Sequence, residues 1–492
     1  MSNLADLLPA GGGQNNTDFV ADGTITSGAP VVLTAAGKAA PVSGTAASIG
    51  AATVVLSTMQ DYPSVCATSG NQNFAGLNDY NGGAGKTGEG FVLTASGTSV
   101  VSSSSSYQYT SNPPYYQSCA YDTANDKVIM VWMDQTSGPK TLKIRIGTIS
   151  GSGASASISW GTETDITTSS QNFSNIKVIY DPDSGNFIVF WRGGASEETF
   201  AWCGTVSGTG VNMGSSSVQV FTGAAGDCSC VYDTGQNKVV FYRSGFSSGL
   251  HDFCVGTVTG TGSTATVSTG STTTISGNTY AQSMQLAYDS TANVVVCVWQ
   301  LSGVLTAACG TVGSTVTFGS NVILTSTGVT AGSLGIAYDS NANKTIVAFR
   351  ASASPYYSFM IPVTVSGTTP SGGTELAVVS ANSQTKVLAY NATAQKVIYM
   401  GSDGTDQASF LYSSPTSNLT STNLLGIASG AISDTATGTI NTWGSRNSAQ
   451  SSLTVGTDYY VQTDGTITTA TDGQLIGKAI TATQINIKDY TG

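Results

Sequence analysis

Charged side chains are scarce in this chain, because Asp, Glu, Lys and Arg together make up only 9% of its 492 residues. An ordinary globular domain carries roughly 25%. The 17 Lys and Arg form no run, and the formal net charge is −11. Since nucleic-acid binding requires a basic patch that neutralises phosphates, this composition argues against a nucleic-acid partner.

Long apolar runs are also missing. The first residues, MSNLADLLPAGGGQNN, contain neither a basic n-region nor an apolar h-region. No stretch is long and apolar enough for a membrane-spanning helix. We therefore expect a chain without a secretory signal or membrane insertion, made in a cytoplasm.

Histidines and paired acids are too few for most common catalytic and metal sites. His251 is the only histidine, which argues against the usual zinc centres. Glu197 and Glu198 could form a glycosidase pair, although adjacent residues rarely converge on one bond and solvated loop charges are commoner. The segment NGGAGKTGEG, residues 81–90, has Tyr80 where a phosphate-binding loop needs Gly, so we interpret it as a hairpin loop. We predict no enzymatic activity, no cofactor and no metal.

The eight cysteines could pair as disulfides, since their number is even. Several, however, occupy matching places in a sequence repeat: Cys119 and Cys230 lie just before a Tyr-Asp pair, and Cys203 and Cys309 precede Gly-Thr-Val. Cys behaves as a small buried hydrophobe, and disulfides belong mainly to exported proteins. We expect free thiols in the core.

The chain does contain a repeat. AYDTANDKVIMVW, residues 120–132, recurs as IYDPDSGNFIVFW, VYDTGQNKVVFY, AYDSTANVVVCVW, AYDSNANKTIVAF and AYNATAQKVIYM. The tyrosines of these copies, at positions 121, 180, 232, 288, 338 and 390, are 59, 52, 56, 50 and 52 residues apart. A second phrase resembling GTVSG follows five of the copies. A period near 50 in a chain rich in Gly, Ser and Thr is typical of propeller blades.

Each period holds four strand-like pieces. One period places strands at 176–181, 186–191, 199–206 and 217–221, with a turn over 207–216. A degenerate unit over residues 66–97 precedes the clear copies, and the last copy lacks a fourth strand. We expect residues 53–58 to supply that strand and close the ring, which would remove exposed sheet edges.

The predicted fold is all-β, with a seven-bladed β-propeller of four-stranded blades inserted in a small β-domain formed by both ends of the chain. The predicted boundaries are residues 1–17 for an N-terminal attachment arm, 18–50 with 421–492 for the small composite β-domain, and 51–420 for the propeller.

The acidic residue of the repeated phrase has a structural interpretation. Asp or Asn at the start of a turn accepts hydrogen bonds from backbone amides further on. The predicted turn residues are Asp122, Asp181, Asp233, Asp289, Asp339 and Asn391. A calcium site in each blade is the alternative, because Asp122, Asn125 and Asp126 cluster oxygens, but such a turn lacks the ligand count of a calcium loop.

The loops that vary most between repeats join second to third strands and fourth strands to the next first strand. Strand alternation places both sets on one face, which we call the variable-loop face. Its candidate binding residues are Tyr107, Tyr109, Tyr115, Tyr116, Phe246, Tyr280, Tyr356 and Tyr357, with His251 in a loop of the same face. Exposed aromatics among Ser, Asn and Gly suit stacking on sugars or docking on a protein, while packing within the loops is the alternative.

Three segments carry a resemblance to a known family. They are the start LADLLPAGGGQNNTDFVADGTI, the repeat AYD…NK…GTVSG and the tail GIASGAISDTATGTI…GTDYYVQTDGTI…GKAI. Over nearly its whole length the chain resembles virion structural proteins of marine tailed phages of the cyanophage and pelagiphage type, which are tail-fibre-like with bladed β-propeller repeats. The resemblance implies no catalytic residue.

The resemblance implies a tail fibre or tail-associated appendage subunit, located in the virion and assembled in the bacterial host cytoplasm. The propeller would bind a host surface glycan or envelope protein. Residues 1–17 and the small β-domain would bind other virion proteins, and a homo-oligomer, with a trimer favoured, is expected. A capsid-surface fibre or decoration protein and a propeller glycan hydrolase are the alternatives.

Overall fold

The computed structural model describes most of the chain and divides it into two compact units. One unit comprises residues 1–47 with 415–492, and the other comprises residues 48–414. The described residues are 15–57, 63–78, 87–134, 140–167, 174–194, 196–245, 251–275, 284–379, 386–403, 405–420, 422–470 and 473–488.

The all-β class is confirmed. Within the described residues, the helical segments are two single 3₁₀ turns, Gly153–Ser155 and Gly262–Thr264. None of them is long and apolar enough to cross a membrane.

The unit of residues 48–414 contains seven consecutive antiparallel arrangements of strands, here called sheets 1 to 7. Sheet 1 has Ser64–Ala67, Gln72–Asn78, Gly88–Ser96, Ser99–Ser102 and Tyr107–Thr110; sheet 2 has Pro114–Asp122, Lys127–Asp134, Thr141–Ser150, Ser157–Trp160 and Thr164–Thr167. Sheet 3 has Ser174–Asp181, Asn186–Gly193, Glu198–Ser207, Gly210–Met213 and Val218–Phe221; sheet 4 has Ala225–Asp233, Lys238–Gly245, His251–Thr259 and Thr266–Ile275. Sheet 5 has Gln285–Asp289, Val294–Leu301, Val304–Val312 and Val316–Phe318; sheet 6 has Lys344–Ala351, Ser358–Ser366, Thr369–Gly372 and Leu376–Val379. Sheet 7 has Lys386–Asn391, Lys396–Ser402 and Gln407–Ser413, with Ser48–Ile49 and Thr53–Leu56.

Sheets 5 and 6 share one long strand, Val322–Asp339. Its first part pairs with Val304–Val312 in sheet 5, and its second part pairs with Lys344–Ala351 in sheet 6.

The outermost strand is broken into two pieces in most of the sheets. In sheet 3, Gly210–Met213 and Val218–Phe221 both pair with Glu198–Ser207. The turn predicted over residues 207–216 is therefore wrong in part, since four of those residues form a strand. A broken strand at a sheet edge blunts pairing with other chains.

The second strand of each sheet is apolar on both faces because it lies between two neighbouring sheets. In sheet 4, Val239 and Phe241 pack with the side chains of sheet 3. Val240 and Tyr242 pack with those of sheet 5. Successive strand residues point to opposite faces, so one strand contributes to two cores.

Residues from before sheet 1 complete sheet 7. Thr53–Leu56 and Ser48–Ile49 pair antiparallel with Gln407–Ser413. Sheet 1 also packs against sheet 7, through a cluster that includes Leu77, Leu93, Ile398 and Met400.

The unit of residues 1–47 with 415–492 has two five-stranded sheets and a short ribbon. One sheet orders its strands as Asn16–Val20, Thr437–Asn441, Leu424–Ala428, Pro30–Leu33 and Ala39–Pro41. The other orders them as Arg446–Asn447, Gln484–Ile487, Gln474–Thr481, Asp458–Val461 and Ile467–Thr468, and the ribbon pairs Gly44–Thr45 with Thr416–Ser417. Segments from both ends of the chain thus lie in the same sheet.

All eight cysteines are free thiols. Seven are buried, and Cys66 is half-buried. Burial raises the pKa of the thiol at Cys230 and at Cys309, in each case to about 12, which keeps both protonated at neutral pH.

Candidate functional site

The acidic residue of the repeated phrase accepts hydrogen bonds from its own turn. In five sheets the Oδ1 atom of the Asp accepts hydrogen bonds from the backbone amides two and three residues later, at 2.8–3.1 Å. Asn391 accepts one such bond, from Ala394 N at 2.9 Å. All six side chains are buried. This geometry ties each turn to itself, as a structural turn residue would.

A calcium site would require several oxygen ligands grouped around one point. In the part of the chain that the structure describes, no three His, Cys, Asp or Glu side chains are grouped as metal ligands. Asp122 instead accepts a 2.8 Å hydrogen bond from the Asn125 side chain.

The tyrosine before the turn reaches the neighbouring sheet. Tyr232 Oη in sheet 4 donates to Asp183 Oδ2 in sheet 3 at 2.7 Å, and Tyr338 Oη in sheet 6 donates to Thr291 Oγ1 in sheet 5 at 2.7 Å. Between sheets 6 and 7 the direction of the hydrogen bond is reversed. There the backbone amide of Asn341 donates to Tyr390 Oη at 3.2 Å. The repeated Tyr-Asp thus serves both its own turn and the junction between sheets.

The six aromatic candidates that the structure describes do not form one exposed surface. Phe246 and Tyr280 lie outside the described residues. Tyr109 was expected on the surface, but its exposed fraction is 0% and its Oη donates to Leu77 O, so it is a core residue. Of the described candidates, Tyr356 is exposed, with 38% of its surface accessible.

The other described aromatics are half-buried. Tyr107 Oη donates to Ala156 O at 2.9 Å, and Tyr115 and Tyr116 pack against the core between sheets 2 and 3. Tyr357 contacts the ring of Phe359 at a centroid distance of 6.5 Å. Local packing therefore accounts for most of this set.

His251 also differs from its expected place in a surface loop. It begins the strand His251–Thr259 and is completely buried, with its Nδ1 atom 2.9 Å from Tyr242 Oη. Burial lowers the pKa of His251 to about 4, although Asp252 opposes the shift.

A polar row at one end of sheet 3 is the strongest candidate site. Arg192 is in register with Ser174 on the first strand and with Thr199 on the third strand. Residues paired directly across antiparallel strands project from the same face, about 5 Å apart at Cβ. We call Ser174, Arg192 and Thr199 the Arg192 row.

Several polar atoms of the Arg192 row have no protein partner. Within the described residues, Ser174 Oγ, Thr199 Oγ1 and Arg192 Nε are buried and make no hydrogen bond. An unsatisfied buried polar group costs about 1–3 kcal/mol, so such groups call for a water or a ligand. Three of them lie here on one sheet face.

The two terminal nitrogens of Arg192 donate hydrogen bonds to neighbouring groups. Its guanidinium donates to Glu197 Oε1 at 3.1 Å and to Gly226 O of sheet 4 at 2.8 Å. The side chains of Arg192 and Glu197 are 18% and 37% exposed, so solvent reaches both of them.

Two residues beside Arg192 have an unusual backbone. Glu197 has φ of 55° and Asn175 has φ of 50°. Glu rarely adopts the left-handed region, and such strain is concentrated at functional sites. Glu197 O accepts a 2.9 Å hydrogen bond from Ala225 N of sheet 4, which helps hold the strained residue in place.

Sequence reasoning identified Glu197 and Glu198 as a possible pair, but it missed Ser174 and Thr199. The structure separates the two acids, because Glu198 is in register with Gly193 and Thr199 with Arg192. Successive strand residues face opposite ways, so Glu198 projects away from the Arg192 row.

Arg243, in sheet 4, forms an ion pair with Asp252. It donates to Asp252 Oδ2 through Nε and Nη2, at 3.0 and 2.9 Å, and its guanidinium lies over Phe221. Both bonds reach the same carboxylate oxygen, and this pair offers fewer open donors to a ligand than the Arg192 row.

Comparison with known proteins gives structural likeness only. No family model matches the chain, and no curated protein matches it. The NanB sialidase from Streptococcus pneumoniae, in its K499G mutant, is 9% identical over 73% of this chain and 68% of its own, with a TM-score of 0.43. The intramolecular trans-sialidase from Ruminococcus gnavus is 9% identical over 72% of this chain and 94% of its own, with a TM-score of 0.40. Sqt1 from Chaetomium thermophilum is 12% identical over 73% of this chain and 97% of its own, with a TM-score of 0.43.

These comparisons correct two expectations. The chain was expected to be a virion fibre or appendage subunit without enzymatic activity, whereas the similar structures include sialidases, which are enzymes. Neither expectation is carried forward. Likeness at 9–12% identity does not transfer an activity to this chain, so any function has to be argued from its own residues.

Proposed function

We propose that this chain is a glycan hydrolase built on a seven-bladed β-propeller. The observation that supports it is the ionised pair of Glu197 and Arg192, held at a strained backbone beside the unsatisfied hydroxyls of Ser174 and Thr199. A sugar carries many hydroxyl groups that accept and donate hydrogen bonds. It would pair with the donors of the Arg192 row and with the carboxylate of Glu197.

Glu197 would supply one of the two acidic groups that the chemistry needs. Glycoside hydrolysis needs one carboxylate as a base and one carboxylic acid as a proton donor. Glu197 is ion-paired with Arg192 beside the row, so we assign the base to Glu197. Glu198 projects away from the row and is assigned no role in the chemistry.

The experiment is an assay of reducing ends released from a panel of bacterial surface polysaccharides. Wild-type protein should release them from at least one polysaccharide, and Glu197→Gln should lower the rate by at least about 100-fold. Glu163→Gln is the matched control, since Glu163 pairs with Lys143 on sheet 2. No release from any polysaccharide, or full activity in Glu197→Gln, would overturn the proposal.

The propeller itself is supported by three features of the unit of residues 48–414. Seven sheets follow one another along the chain, tyrosines link neighbouring sheets, and Thr53–Leu56 completes sheet 7. We further propose that the unit of residues 1–47 with 415–492 is a composite β-domain into which the propeller is inserted. Limited proteolysis should then release one large fragment that starts near residue 48 and ends near residue 414.

The resemblance to phage proteins leaves further predictions open to experiment. A virion location, binding of residues 1–17 to virion proteins and a trimer remain predictions. Cryo-electron microscopy of the particle and mass measurement of the purified chain in solution test them.

A further inference from the structure

Sheet 6 repeats the geometry of the Arg192 row with one side chain changed. Arg350, near the end of the second strand, is in register with Ser358 at the start of the third strand. Arg192 and Thr199 are paired in the same way in sheet 3. Residues paired directly across antiparallel strands project from the same face, so each of these sheets places a guanidinium group beside a hydroxyl group.

The hydroxyl group of Ser358 is as unsatisfied as that of Thr199. Both residues are completely buried, with an exposed fraction of 0%. In the part of the chain that the structure describes, neither side-chain oxygen makes a hydrogen bond. A buried hydroxyl without a partner has given up its bonds to water and gained none in return, so Ser358 calls for a ligand group or a bridging water.

The side chain that contacts the arginine differs between the two sheets. In sheet 3 it is Glu197, whose carboxylate pairs with Arg192. In sheet 6 it is Tyr356, whose ring centroid lies 5.4 Å from Cζ of Arg350. Each of them stands two residues before the paired hydroxyl residue and has a left-handed backbone, with φ of 55° at Glu197 and 62° at Tyr356. Sheet 6 therefore carries an aromatic ring where sheet 3 carries the acid.

The loop that carries Tyr356 is held by backbone hydrogen bonds. Tyr356 N donates to Ala353 O at 2.8 Å within the loop. Ala351 N donates to Tyr357 O, also at 2.8 Å, and closes the loop. These bonds fix the backbone while 38% of the surface of Tyr356 stays accessible to solvent. An exposed aromatic ring on a fixed backbone loses little conformational entropy when it binds a ligand.

We propose that Arg350, Tyr356 and Ser358 form a second carbohydrate-binding site, here called the Arg350 site, which holds a sugar without cleaving it. The ring of Tyr356 stacks on the apolar face of a sugar ring, and Ser358 exchanges a hydrogen bond with a sugar hydroxyl, directly or through one water. Because Tyr356 stands where sheet 3 has Glu197, the Arg350 site lacks the base that hydrolysis needs. The choice of a sugar as the ligand rests on the proposed function, whereas binding at this site does not require Glu197.

The test is affinity electrophoresis of the full chain through gels that contain each bacterial surface polysaccharide of the release assay. Every protein in the series carries Glu197→Gln, so that the polysaccharide in the gel is not cleaved during the run. The parent protein should be retarded by at least one polysaccharide, and Tyr356→Ala should weaken that binding by about 10-fold. Ser358→Ala should weaken it by about 3-fold without lowering the Tm, because it removes a hydroxyl that has no protein partner.

Tyr356→Phe is the matched control, because it keeps the ring and deletes only the hydroxyl, and it should bind as tightly as the parent protein. Unchanged binding by Tyr356→Ala, or no retardation by any polysaccharide, would overturn the proposal. An equal loss of binding in Tyr356→Phe and Tyr356→Ala would contradict the stacking role of the ring. The release assay with Glu197→Gln decides the proposed hydrolase separately, since retardation in the gel does not depend on cleavage.

Discussion

Tyr232 Oη lies 2.7 Å from Oδ2 of Asp183, and this hydrogen bond joins the first strand of sheet 4 to the first turn of sheet 3. The tyrosine is buried, whereas the aspartate is exposed. Two residues 49 positions apart in the sequence are thus coupled by a phrase that looks purely local when read along the chain.

Removing this bond should weaken the protein without changing its fold. Tyr232→Phe keeps the ring and deletes only the hydroxyl, so we expect a loss of about 1 kcal/mol in the free energy of unfolding. Urea denaturation followed by tryptophan fluorescence measures the loss. Tyr460→Phe, in the unit of residues 1–47 with 415–492, is the control, and an equal loss there would show that the effect is not specific to the junction.

Two other tyrosines of the repeated phrase predict that the protein loses stability at alkaline pH. Burial, with Asp122 nearby, raises the pKa of Tyr180 to about 12, and burial, with Asp233 nearby, raises that of Tyr288 to about 12. The folded state therefore favours the neutral phenol. This contribution is complete below about pH 10, the ordinary pKa of Tyr, and is lost as the pH rises through about 12.

Thermal unfolding measured from pH 8 to pH 12, together with phenolate absorbance, tests this prediction. The Tm should fall as the pH rises above about 10, and part of the phenolate signal should appear only on unfolding. Complete titration of all tyrosines near pH 10 with no change in Tm would contradict it.

His251 predicts the opposite dependence at acidic pH. Burial lowers its pKa to about 4, so the folded state favours the neutral imidazole. The contribution is complete above the ordinary pKa of about 6.5 and is lost as the pH falls through about 4. Because His251 is the only histidine, its NMR signal can be assigned without a variant. A titration midpoint near 6.5 in the folded protein would contradict the buried position.

The local parts of this structure could be predicted from the sequence, and the non-local parts could not. An Asp that binds amides two and three residues later uses only its own turn, so the phrase itself carries the signal. The strand predicted over residues 186–191 is present as Asn186–Gly193, because its apolar residues reveal burial on both faces.

The Arg192 row could not be predicted from the sequence, because strand register brings its residues together. Ser174 and Thr199 lie 18 and 7 residues from Arg192 in sequence, and neither carries a motif. Tyr109 and His251 were misplaced for a similar reason. Each lies beside turn-like sequence, but cross-strand packing buries both.

The turn at Asp289 offers the sharpest test of the repeated phrase. Asp289 Oδ1 accepts hydrogen bonds from the amides of Thr291 at 3.0 Å and Ala292 at 2.9 Å, and the side chain is buried. Asp289→Ala removes the acceptor and should lower the free energy of unfolding by about 1–3 kcal/mol. Asp289→Asn keeps an oxygen at the same position, as Asn391 does in sheet 7, so we expect a much smaller loss. Urea denaturation with and without calcium measures both variants. If the Asn variant lost as much stability as the Ala variant, and calcium stabilised only the wild type, the charge of Asp289 rather than its hydrogen bonds would hold the turn, and the calcium alternative would regain its place.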